Sequence, residues 1–60
     1  MLDKTNAVMI AEGVIEANQE DTIEAWQYLI DTGLAFSLQG FFGRTANSLI
    51  EMGLCSAKND

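Results

Sequence analysis

The sequence predicts an all-α fold, and three observations on its 60 residues carry that expectation. Proline is absent, so glycine supplies the punctuation; apolar residues recur at helical spacing between glycines; and seven alanines lie within a hydrophobic fraction of 48%, which suits close helix contacts better than strands. The expected architecture is a small bundle of three main helices, at about 4–19, 21–32 and 44–52, with a short connecting helix or turn at 34–40. It forms a single helical domain over 1–60, with a disordered tail from about 56.

The first helix can be capped by Asp3 or Thr5 and carries Ala7, Ile10, Ala11, Val14, Ile15 and Ala17 at helical spacing. Gly13 falls inside that periodicity. Either the helix breaks there, or, as the continuing period favours, Gly13 sits mid-helix at a cost of about 1 kcal/mol relative to alanine and lets another helix approach closely. The second helix opens at "DTIE", where Asp21 can cap and Glu24 can reach back, and its core face holds Ile23, Trp26, Leu29 and Ile30. Trp26 is the expected core anchor, joined by Phe36 and by Phe41 or Phe42. Gly33 should end this helix in a left-handed conformation, with Leu34 folding back on Leu29. "LAFSLQ" supplies one or two turns. "RTANSLIEM" then makes the last helix, which Gly53 and Leu54 end as Gly33 and Leu34 end the second, Leu54 packing on Leu49.

"MIAEGV" (9–14), "LIDTGL" (29–34) and "LIEMGL" (49–54) share hydrophobe, Ile, two residues, Gly, hydrophobe, each copy twenty residues after the last. Tandem helical units are usually longer than about 30 residues. Convergent helix stops explain the pattern more simply, because such a stop itself asks for Gly followed by a hydrophobe.

"AWQYLIDTGLAFSLQGFFGRTANSLIEMGLC", residues 25–55, resembles a family of small proteins of unknown function encoded in tailed-bacteriophage genomes. The family's members share "AWQ-x-LI-D-TG", "LQG-[WF]-FGR-TA" and "LIE-x-G". The resemblance covers about half the chain and implies a phage protein made in the cytoplasm of a bacterial host. It implies no catalytic residue.

Nine acidic and three basic residues leave a net charge of −6. That sign opposes nucleic-acid phosphates and anionic membrane surfaces and favours basic protein surfaces. No apolar run approaches the roughly 18 residues of a membrane span, and the opening "MLDKTNAVMIAEG" lacks a signal peptide's basic start and apolar core. Cys55 is the single cysteine and histidine is absent, so one chain can assemble neither a disulfide nor an ordinary zinc site, and no cofactor is expected. Nor is catalysis expected: Cys55 has no histidine to activate it, and no phosphate-binding loop or carboxylate pair is apparent. A domain this short buries only about 60% of the surface its unfolded chain exposes, so association stabilises it readily. The expected activity is protein–protein interaction, with a host or phage protein or as a homo-oligomer.

"GFFGR", residues 40–44, is the candidate contact site. As a corner before the last helix it would bury one of Phe41 and Phe42 and turn the other outward beside Arg44, a composition typical of interfaces. At a helix start Arg44 would oppose the helix dipole. It would therefore need a carboxylate, from Glu24, Asp31 or Glu51 or from a partner. Two alternatives use other features. Glu12, Glu16 and Glu20, four apart, would line one face of a long first helix about 6 Å apart and mimic DNA phosphates. "GRTANSLIEMGLCS" has the outline of a DNA-recognition helix but only one arginine.

Overall fold

In the computed structural model, which describes residues 2–38 and 40–57, Asp3 caps the first helix, α1 (Lys4–Ala11). Its backbone is extended, and its Oδ1 accepts the Asn6 N–H at 2.9 Å. The helix is shorter than the periodicity predicts. Gly13 is not a mid-helix residue: its φ is +80°, and it accounts for the stop. The Gly13 N–H donates to Ile10 O at 3.1 Å and the Val14 N–H to Met9 O at 2.9 Å, the paired bonds that satisfy the last carbonyls of a helix.

The second helix, α2 (Gln19–Asp31), starts two residues before the expected site. Asn18 is the cap, its Oδ1 accepting the Asp21 N–H at 2.7 Å, while Thr22 Oγ1 donates to Asn18 O at 2.8 Å. Asn and Asp cap about equally well, and the earlier start places Glu20 and Asp21 in the first turn, where the helix dipole favours anions. Gly33 follows at φ +81°, its N–H bonded to Ile30 O at 3.1 Å. Ser37 closes the single turn of α3 (Leu34–Ser37). The last helix, α4 (Gly40–Glu51), begins four residues earlier than expected and ends at Gly53, φ +81°, where the Leu54 N–H reaches Leu49 O at 3.0 Å. All three glycines of the twenty-residue pattern are thus helix stops. Leu34 is partly buried against the core, whereas Leu54 remains 40% exposed.

The four helices enclose one apolar core and no strand occurs among the described residues. Leu29 and Ile30 are fully buried, and Trp26, Phe42 and Cys55 nearly so. Full burial of each aliphatic side chain is worth about 1.5–3 kcal/mol. Ala7, Ala25, Ala35 and Ala46 are also fully buried, which lets the helices sit close together. A radius of gyration of 10.3 Å is the value expected, about 10 Å, of a compact chain this long. Phe36, expected in the core, is 53% exposed, because Ala35 takes the inward position of so short a helix.

Gly43 lies inside α4 with no positive φ to require it. A β-carbon there would meet Ala35 O at 3.7 Å and Phe36 Cδ1 at 3.8 Å, both ordinary contacts. Gly43→Ala should therefore stabilise the protein by about 0.5–1 kcal/mol and raise its melting temperature by roughly 2–8 °C. A fall in melting temperature would mean that the α3–α4 approach tolerates no added methyl.

Cys55 lies in the core, its Sγ 3.8 Å from Ile23 O. Ser56, expected in the disordered tail, is held by Gln27: its N–H donates to Oε1 at 2.8 Å and its carbonyl accepts from Nε2 at 3.0 Å. Residues 58–60 of that tail lie outside the described residues. Burial, and then the carboxylate of Asp31, push the Cys55 thiol pKa up. The folded value exceeds the unfolded one, so the contribution to stability is fully present below the unfolded pKa, about 8.5, and is lost as pH rises through the folded pKa. Labelling by a thiol reagent at pH 8 should proceed at the rate of unfolding. Labelling as fast as in denaturant would place the thiol at the surface.

Candidate functional site

"GFFGR" is the first turn and a half of α4, not a corner, because the helix already starts at Gly40. Adjacent residues on a helix point about 100° apart, a separation that still allows both phenylalanine rings to reach one large neighbour. Trp26 on α2 is that neighbour. The Phe42 ring lies 5.7 Å from it and tilted by 46°, and Phe41 approaches edge-on at 6.3 Å and 85°. The two phenylalanine rings are 4.4 Å apart. Such pairs add about 0.5–1.5 kcal/mol each beyond area burial.

The two differ in exposure. Phe42 is 3% exposed and belongs to the core, whereas Phe41 keeps 38% of its surface in solvent. The outer phenylalanine does not point away from the core, as the sequence implied; it leans on Trp26 and presents its remaining face. The signal for this contact is the pairing of "FF" at a helix start with a single tryptophan on the preceding long helix. Read as a corner, the segment does not disclose it.

Arg44 is exposed one turn further along, three residues from Phe41 and therefore on its side of α4. None of Glu24, Asp31 or Glu51 pairs with it, nor does any other carboxylate among the described residues. The dipole argument for such a pair also lapses, since Arg44 is the fifth residue of the helix and the effect falls off within the first turn. Its guanidinium folds back toward the helix start: Nη1 lies 3.1 Å from the position a β-carbon on Gly40 would take. Phe36 lies across Gly43, on the other flank of the helix. The N-terminal half of α4 thus presents a half-exposed aromatic ring and a cation unpaired among the described residues, with the exposed Phe36 of α3 beside them.

The acidic face is not formed. Glu12 is the C-cap residue of α1, Glu16 lies in the connection, and Glu20 is in the first turn of α2. The Gly13 stop removes the continuous helix that would have aligned them, and with it the phosphate-like spacing. No group of three or more metal-ligating side chains is present among the described residues, and no helix there is long and apolar enough to cross a membrane.

Among known proteins, the model of a domain of unknown function, DUF7417, matches residues 10–60. No curated protein and no solved structure matches the chain.

Proposed function

Because this chain belongs to the DUF7417 family, whose function is unknown, we propose from its surface that it is a non-catalytic protein–protein interaction module. The observation that carries the reading is Phe41, half exposed and braced edge-on against Trp26, beside an Arg44 that no carboxylate of the described residues engages. A braced ring loses little conformational entropy on binding, and a free guanidinium can hold a carboxylate in a two-bond fork. Aromatic and arginine side chains of this kind are enriched among the few residues that dominate interface energies. The setting we propose, following the family resemblance in "AWQYLIDTG" and "LQGFFGRTA", is a phage protein acting in the cytoplasm of its bacterial host on a host or phage protein, or on further copies of itself.

Phe41→Ala and Arg44→Ala test this directly. Each should weaken capture of the partner from infected cells, or self-association in sedimentation, by roughly 30-fold, the equivalent of about 2 kcal/mol. Both should keep the wild-type circular dichroism spectrum. Retention of the same partner, or of the same oligomer, by both variants would remove this face of α4 from the function.

A further inference from the structure

A second surface lies between α1, α2 and the chain that joins them. It is an open cleft of about 400 Å³. Leu2 and Ile10 line it from the α1 side, and Ile15 and Ala17 from the connection. Glu16, Asp21 and Glu24 also line it; all three are exposed and none is ion-paired among the described residues. The Gly13 stop creates this arrangement, because it turns the chain back and brings Ile15 and Glu16 over the helix pair.

Resting on the reading of the protein as a binding module, we propose that this cleft takes a basic amphipathic segment of a partner protein. Apolar surface flanked by three unneutralised carboxylates matches a segment that offers both a hydrophobic face and several cations. Lysine and arginine suit it individually, since their alkyl stems cover apolar surface while their charged ends stay at the rim. Charge also decides against a second copy as the occupant. Another copy, itself at −6, has three basic side chains, Lys4, Arg44 and Lys58, but scattered along the sequence instead of gathered in one segment. A basic segment neutralises all three carboxylates and is drawn in by the net charge of the chain.

The probe is a fluorescein-labelled helical peptide of leucine and lysine, with a glutamate-for-lysine peptide as control, followed by fluorescence anisotropy. The lysine peptide should bind saturably and weaken roughly tenfold or more between about 50 and about 300 mM salt, and the glutamate peptide should not bind. Glu16→Gln/Asp21→Asn/Glu24→Gln should lose at least about tenfold in affinity, whereas Glu12→Gln/Glu20→Gln/Glu51→Gln, with the same net charge, should lose much less. Ile15→Ser, which leaves every charge in place, should also weaken binding; Glu24→Lys repeats the charge test if the triple variant fails to fold. Equal loss in the two triple variants, or an unaffected Ile15→Ser, would reduce the binding to general charge attraction and overturn the cleft. So would self-association that the cleft variant abolishes, which would make a second copy the occupant. Phe41→Ala should bind the peptide like wild type. Failure of the peptide with partner capture intact therefore sinks only the cleft, and the reverse sinks only the α4 surface.

Discussion

Phe42→Ala is expected to show no cooperative melting transition, while its neighbour Phe41→Ala keeps one, lowered by roughly 4–8 °C. Phe42 is almost fully buried and touches both Trp26 and Phe41, so truncating it removes two ring contacts and leaves a cavity at the α2–α4 junction. Phenylalanine-to-alanine changes in cores cost about 3–5 kcal/mol. A single core in a chain of this size rarely supplies more than about 3–5 kcal/mol in total, so the whole stability of the fold is at stake. Phe41 also makes two ring contacts, with Trp26 and with Phe42, but keeps over a third of its surface in water, so each should sit at the low end of the range for such pairs and its loss should cost about 1 kcal/mol. Thermal melts by circular dichroism, with Trp26 emission as a second probe, measure both. A folded Phe42→Ala within about 1 kcal/mol of wild type would show that Phe42 is not a core residue.

Where the fold was legible in the sequence, local chemistry accounts for it. Gly33 and Gly53 could be recognised as stops because each is followed by a leucine and preceded by a helical pattern, and both have the expected positive φ. Gly13 has the same signature and the same geometry, yet apolar residues continue past it at helical spacing: Val14, Ile15 and Ala17. Those residues belong to the turn and the cleft, so period alone misassigns them. The two missed helix starts have a related cause. Each lies where more than one residue can begin a helix, and local signals do not rank Asn18 against Asp21 or Gly40 against Arg44. That last ambiguity decides the candidate site. With four more residues in α4, Phe41 becomes a braced ring instead of a free one, and Arg44 leaves the helix start, so neither its placement nor its lack of a partner among the described residues could be read from residue types alone.

The three stops can be removed together, and Gly13→Ala/Gly33→Ala/Gly53→Ala should unfold the protein, or leave it folded by no more than a small margin. Each glycine has φ near +80°, where a β-carbon crowds the following carbonyl oxygen at a cost of about 1 kcal/mol or more. Space is not the obstacle: a β-carbon at any of the three would meet nothing within 4 Å. The penalty is therefore purely conformational and should be nearly the same at each site. The three glycines terminate different helices, so their costs should add to about 3 kcal/mol, against a total of about 3–5 kcal/mol for so small a core. Asparagine separates this cause from any other, because it visits the left-handed region far more readily than alanine while being larger. The corresponding triple asparagine variant should recover most of the lost stability, measured by urea denaturation. If asparagine were as destabilising as alanine, loss of the left-handed conformation could not be the reason, and the equivalence of the three "I-x-x-G" stops would fail with it.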